Sequence, residues 1–299
     1  MISILNSVII KIITLVPKSI VQLFSGRYVA GEKHKTALAV VKSLNNQGFS
    51  ATIDILGEHV QDITEANQIT SEYIDLYDEI AENQLDCNIS IKPSHIGLDL
   101  GENEFLDNLQ LLIDKAMAHG NFLRIDMESS LVTDTTINAY ILMLKKSKAV
   151  GTVFQAYLFR TLDDVKNVQS DHLNFRLCKG IYKESDDISI QDRKHINENY
   201  LKILRHAFTA NNYVGIATHD IDLLEDIYSL IEELNVSPGR FEFQVLYGVP
   251  MSGWLNKHLE NGYKVRVYVP FGPDWYDYSI RRLKENPNIA GYVIKNLFR

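Results

Sequence analysis

An eight-stranded β/α barrel with a helical segment at its N-terminus is the fold this sequence predicts, and three observations predict it. From about residue 50 onward, short β-rich runs alternate with longer helical patterns, and eight such runs can be counted. The stretch from 50 to 299 has the usual size of a (βα)8 barrel, roughly 250 residues. The dinucleotide fingerprint G-x-G-x-x-G is absent, and an open doubly wound sheet would use fewer strands. The expected division is a helical segment over 1–49 and a barrel over 50–299.

The strands expected in order are ATIDIL (51–56), NISIKP (88–93), FLRIDM (122–127), GTVFQAYL (151–158), NFRLCK (174–179), YVGIATH (213–219), FEFQVLY (241–247) and KVRVYVP (264–270). Most are rich in β-branched and aromatic residues. Between them, stretches such as ENEFLDNLQLLIDKAMAHG, TTINAYILMLKKSKA, RKHINENYLKILRHAFTANN and IDLLEDIYSLIEELN repeat apolar residues at spacings of three and four, the helical signature. The N-terminal run is apolar but lacks a basic flank and a small-residue cleavage site, and Lys11, Pro17 and Lys18 interrupt it. It reads as amphipathic helices docked on the barrel. The second reading is an interfacial helix touching a membrane through Ile2, Leu5, Ile9, Ile12, Ile13 and Val16.

Composition narrows the partners. With 38 acidic against 30 basic residues the net charge is −8, and no basic stripe is visible, so nucleic acid is not expected. Cys87 and Cys178 form no CxxC pair and fit a reducing compartment, where both read as packing residues.

In such a barrel, function lies at the C-terminal ends of the strands. The polar residues there are Glu58, Lys92, Asp126, Glu128, Gln155, Arg176, Lys179, His219, Asp220, Gln244 and Tyr268. Taken singly, each has a plain explanation: a salt-bridge partner, a satisfied histidine or an internal amide. Polar residues at the same end of every strand point instead to a site, since strands built for packing would place Val, Ile or Leu there. The segment after strand 8, DYSIRRLKEN, sets Tyr278, Arg281, Arg282 and Glu285 on neighbouring helical surfaces, with Arg281 and Glu285 at i,i+4. As a solvated pair they would contribute only about 0.3–0.5 kcal/mol. At a barrel mouth, two adjacent guanidinium groups suit a carboxylate or phosphate.

The segment RLCKGIYKE (176–184) resembles the RLVKGAYxE segment of proline dehydrogenases. GRYVAGE, TIDILGE, SIKPS, RIDMES, IATHD, FEFQVLYGV, RVYVPFG and YSIRRLKEN are similar to other segments of that family in the same order. The resemblance covers the chain from about residue 20 onward and implies a distorted (βα)8 barrel. It further implies FAD as cofactor, oxidation of L-proline to Δ1-pyrroline-5-carboxylate, and transfer of electrons to a membrane quinone. Carried over by position, Arg281, Arg282 and Lys92 would hold the substrate carboxylate, Tyr268 and Tyr278 would line the proline ring, and Asp126 would organise the site. Glu58 would pair with Arg281 as a gate. Gln155, Arg176, Lys179, Gly180, Thr218, His219, Gln244 and Glu285 would belong to the flavin site, with Arg176 as an electrostatic partner of the reduced ring. A cytoplasmic protein is implied, with a transient peripheral contact with the inner membrane. No aldehyde-dehydrogenase module is expected, so a separate pyrroline-5-carboxylate dehydrogenase would take the second step.

Three positions depart from the family pattern. Ile181 stands where alanine is usual, Lys183 where tryptophan is common, and Asp220 where ATHN has asparagine. Ile181 is expected to alter packing on the flavin, and Asp220 to add negative charge near it. Three rival readings are another FAD barrel of the methylenetetrahydrofolate reductase type, a metal-dependent barrel hydrolase using His95, His219, Asp126 and Asp220, and a flavin-binding protein without turnover, which would keep Arg176, Lys179 and Gln155 but tolerate loss of the arginine pair, here intact. The paired arginines suit a small carboxylate better than a pterin. The metal reading is weakened because neither an HxH pair after the first strand nor HExxH is present, and no metal is expected.

Overall fold

The computed structural model describes residues 25–168, 173–276 and 278–280, together with Lys18 and Val21. Eight parallel strands close into a barrel in sequence order: β1 (Ser50–Ile55), β2 (Cys87–Ile91), β3 (Leu123–Ile125), β4 (Val150–Gln155), β5 (Asn174–Cys178), β6 (Tyr213–Ala217), β7 (Phe241–Leu246) and β8 (Val265–Phe271). Closure is made by β1 against β8, in register from Ser50 opposite Arg266 to Ile55 opposite Phe271. The helices α1 (His34–Asn46), α2 (Ile63–Glu82), α3 (Glu102–Ala118), α4 (Thr133–Leu144), α5 (Thr161–Asn167), α6 (Arg193–Thr209), α7 (Ile221–Glu233) and α8 (Trp254–Glu260) complete the chain order, α1 preceding β1 and the others joining successive strands.

All eight expected strands are present, and their edges move for local reasons. The second stops at Ile91 because Pro93 has no N–H to donate and opens a 3-10 turn over Pro93–Ile96. The fourth stops at Gln155, whose carbonyl accepts a hydrogen bond from Thr161 Oγ1 at 2.5 Å in place of a continuing ladder. Helix α2 starts where Asp62 accepts from the Glu65 N–H at 3.0 Å while the Glu65 carboxylate accepts from Gln61 N–H, a reciprocal cap.

Strand residues alternate between two environments. Ile53, Ile55, Ile89, Ile91, Leu123 and Ile125 pack outward against the helices in one core with Tyr73, Leu76, Phe105 and Leu109. Their alternating partners Thr52, Asp54, Asn88, Ser90, Arg124 and Asp126 are polar and line the inside. Helix α1 joins the same core through Ala37, Leu38 and Val41. The lead-in segment runs beside the last strand, Ala30 N–H donating to Pro270 O and Gly272 N–H to Gly31 O. Tyr28, Val29 and Leu56 form a smaller cluster there with Val249, Trp275 and Tyr278, which fixes Tyr278 at the mouth. Arg281, Arg282, Glu285 and the apolar stripe Ile2, Leu5, Ile9, Ile12, Ile13 and Val16 lie outside the described residues.

Candidate active site

A cavity of about 720 Å³ opens at the C-terminal ends of the strands, a volume in the range of small-molecule and cofactor sites. It brings together residues the sequence placed there one strand at a time: Glu58, Lys92, Asp126, Gln155, Arg176, Lys179, Gly180, Thr218, His219, Gln244, Tyr268 and Tyr278 all line it. Asp220 and Ile181 line it as well.

Asp126 is the hub. Its Oδ1 accepts from Ser90 Oγ and from Arg176 Nη1, both at 2.6 Å, and its Oδ2 accepts from Tyr268 Oη at 2.8 Å. Three strands besides its own therefore converge on one carboxylate. Arg176 Nε donates to Gln244 Oε1 at 2.6 Å, and its guanidinium lies 5.0 Å from the centre of the Tyr268 ring. Burial opposes the charge of Arg176, but the Asp126 carboxylate more than offsets this and holds it above the ordinary arginine range. The same burial, reinforced by Asp126, pushes the Tyr268 hydroxyl well up, so it acts as a proton donor to the carboxylate.

Lys92 sits on the β2 side. Its Nζ donates to Asp54 Oδ2 at 3.2 Å and to Gly57 O at 3.4 Å. Burial penalises the ammonium, and Asp54 and then Glu58 outweigh that cost, so the lysine stays charged. Asp54, 1 % exposed, has its carboxyl raised by burial against the lowering effect of Lys92.

On the opposite side Asp220 takes the place before α7 where a helix cap is expected, yet its side chain turns into the cavity wall. It receives Lys179 Nζ, Arg193 in a two-point contact at 2.9 and 3.2 Å, and Asn197 Nδ2 at 3.0 Å. Burial raises its carboxyl, and Lys179, Asn197 and Arg193 together hold it well below the usual carboxylate range. The negative charge expected from this position is thus neutralised by two cations. Ile181, half exposed, adds an apolar surface to the rim. Gly180 is required: its φ is +116°, and a Cβ there would fall 2.1 Å from the Tyr157 ring.

Glu128, expected at the rim, lies instead behind it, accepting from Ser94 N–H at 2.8 Å and Ser94 Oγ at 2.5 Å and so anchoring the turn after Lys92. Of the residues in the metal reading, Asp126, Asp220 and His219 are taken by other partners. His219 Nε2 accepts from Leu246 N–H at 3.0 Å, His95 is buried against Gly57, and among the described residues no three His, Cys, Asp or Glu side chains are grouped to hold an ion. Sequence reasoning missed Asp54, Ser90, Cys178 and Arg193. The period-two alternation in TIDI and NISIK could have found Asp54 and Ser90, whereas nothing in the sequence marks Arg193.

A closed β/α barrel whose strand ends converge on a buried, charged cavity has the build of a barrel enzyme. The family model described as proline dehydrogenase matches residues 37–294. Proline dehydrogenase 1 of Bacillus subtilis subsp. natto is 37% identical over 279 residues, covering 93% of this chain and 92% of that protein. The proline dehydrogenase of Deinococcus radiodurans is 32% identical, covering 91% and 89% respectively. In fold, the chain is similar to the crystal structure of proline utilization A from Bdellovibrio bacteriovorus inactivated by N-propargylglycine, with a TM-score of 0.81 and 24% identity over 88% of this chain and 32% of that one. The chain belongs to the proline dehydrogenase family.

Proposed function

We infer that this chain oxidises L-proline to Δ1-pyrroline-5-carboxylate at the barrel mouth, the first step of proline catabolism. The observation that carries this reading is the single cavity in which the Asp126–Arg176–Tyr268 cluster faces Lys92, in a chain that matches proline dehydrogenases over almost its full length. The residues suit FAD: amides Gln155 and Gln244, cations Arg176 and Lys179, and Gly180, Thr218 and His219 line one continuous cavity, with Glu285 added by the family pattern. FAD, when bound there, supplies the acceptor for the hydride leaving the carbon beside the proline nitrogen.

The chain's own part is to bind and orient. Lys92, kept charged by Asp54, offers a cation for the substrate carboxylate, joined by Arg281 and Arg282. Tyr268 and Tyr278 give flat surfaces for the ring. Asp126 fixes both Arg176 and Tyr268, so their positions do not depend on the ligand. Glu58 serves as the gate by pairing with Arg281 when substrate is absent. Residues 50–299 act as the catalytic unit, supported by the helical segment over 1–49. Electrons pass to a quinone through a transient contact with the membrane surface, and a separate pyrroline-5-carboxylate dehydrogenase takes the product. Among the described residues no helix is long and apolar enough to cross a membrane.

The test is the visible spectrum of the purified protein supplied with FAD, before and after anaerobic addition of L-proline. Bleaching by L-proline and not by D-proline is expected. A protein that takes up no FAD, or a bound flavin left unchanged by L-proline, would overturn the reading.

A further inference from the structure

Below the cavity, and not part of its lining, Glu242 on β7 is 2 % exposed. Its Oε1 accepts two hydrogen bonds of 2.7 Å, one from Arg266 Nε on β8 and one from Gln244 Nε2 two residues along its own strand. An ionised carboxylate only accepts hydrogen bonds, so the Gln244 amide has to present its NH2 group to Glu242. That leaves Gln244 Oε1 pointing the other way, where it accepts from Arg176 Nε. Turning the amide over would set oxygen against oxygen at Glu242 and N–H against N–H at Arg176, and would lose both bonds at once.

A second, independent feature holds the same amide. Gly215 lies in the middle of β6, opposite Glu242 in the ladder, and a Cβ added there would fall 2.4 Å from Gln244 Nε2 and 2.8 Å from its Cδ. A glycine inside a strand weakens it, and it commonly marks a place where another group approaches closely. Here that group is the Gln244 side chain.

We propose that Glu242, with Gly215 as the slot, is a positioning residue for Arg176: it sets the polarity of the Gln244 amide, and Gln244 in turn holds the guanidinium between Asp126 and the Tyr268 ring. Its importance for the reaction rests on the proposed oxidation; the relay itself does not. Arg176 then has two of its N–H groups assigned by the barrel, and its orientation toward the cavity is set from beneath.

The experiment compares wild type with Glu242→Gln and Gly215→Ala by two readouts. The first is hydrogen exchange of the Arg176 Nε–H, followed by 15N NMR in the purified protein and assigned by its loss in Arg176→Lys. The relay predicts exchange at least tenfold faster in both variants, including Gly215→Ala, which leaves the Arg266–Glu242 pair untouched. Exchange equal to wild type in both would overturn the proposal. The second is the equilibrium of the FAD-loaded protein with L-proline, where both variants should favour oxidised flavin about tenfold more than wild type while binding FAD within threefold. A variant pair that exchanges faster but leaves this equilibrium unchanged would limit Glu242 to a structural role and overturn the positioning claim. If wild-type flavin fails to respond to L-proline, the functional reading falls, and the exchange measurement still decides the relay.

Discussion

Arg124 and Arg176 are both arginines inside the barrel, 2 % and 8 % exposed, and they are held in different ways. Arg124, on β3, gives its donors to neutral oxygens: Thr152 O at 2.9 Å, Asn174 O at 3.1 Å and Asn174 Oδ1 at 2.7 Å. Burial and then the nearby Arg176 charge bring it down to about 10. Arg176, on β5, is held by one amide and one carboxylate and borders the cavity. Arg124 closes the barrel floor, where Nη1 and Nη2 are taken up by neutral oxygens of the fold. Arg176 keeps its charge because Asp126 compensates it, and still faces a space large enough for a ligand. A buried ion contributes little net stability after desolvation, so a strongly paired cation at the edge of a cavity is better explained by binding than by folding.

This contrast can be broken most severely at Asp126. Asp126→Asn removes the charge that supports Arg176 and leaves an acceptor for only some of its three donors. A fall in proline turnover of about a hundredfold is expected, comparable with loss of a preorganised electrostatic partner, and steady-state kinetics with a dye acceptor would measure it. An unchanged kcat/KM would place Asp126 with Arg124 on the structural side.

Acid offers a second probe, because the groups most sensitive to mild acid lie outside the mouth cluster. His95 is held at about 3 by burial and then by Lys92, and His258, stacked 3.7 Å from Phe243, at about 4 by burial and then by Lys257. Unfolded histidine titrates near 6.5, so the unfolded chain binds more protons between these values. The stability they contribute is full above about pH 6.5 and declines as the pH falls, by roughly 2 kcal/mol each at pH 5. Asp54 and Glu128, raised by burial, act in the opposite sense, and depressed Asp220 matters only below its ordinary range. Urea midpoints should therefore drop between pH 7.5 and 5, and drop less in His258→Phe. A midpoint insensitive to pH in this interval would contradict the assignment.

The smallest effect is expected at Asp220. Asp220→Asn releases Lys179 and Arg193 from their carboxylate. FAD, an anion, should bind a fewfold more tightly at low salt, with the gain lost as salt screens it. Fluorescence titration at two ionic strengths would show this, and weaker binding at low salt would mean that Asp220 is needed to position its cations.

Much of this was legible in the residues. The strands announced themselves because each is buried on its outer face, and the strand-end rule then placed Lys92, Asp126, Arg176, Gln244 and Tyr268 in one cavity. What did not show was pairing. Nothing in local spacing tells that Asp126 on β3 receives Arg176 from β5 and Tyr268 from β8, since those contacts are set by the closure and stagger of the barrel. Asp54 was missed for a different reason: the alternation of Thr52 and Asp54 with Ile53 and Ile55 marks it as inward-facing, but it lies inside β1 rather than past its C-terminal end, where site residues are expected. Arg193 comes from a helix start, where charged residues are common and usually solvated. Glu128 was misplaced because it follows a strand that ends three residues earlier, at Ile125.

The most direct measurement takes the two arginines together. Arg176→Met and Arg124→Met would each be assayed for L-proline turnover per folded molecule and for melting temperature. The account predicts that Arg176→Met folds and loses turnover by at least about a hundredfold, while Arg124→Met is destabilised by about 1–3 kcal/mol through its abandoned carbonyls and keeps turnover within threefold. Wild-type turnover in Arg176→Met would contradict the assignment of the barrel mouth as the site of proline oxidation.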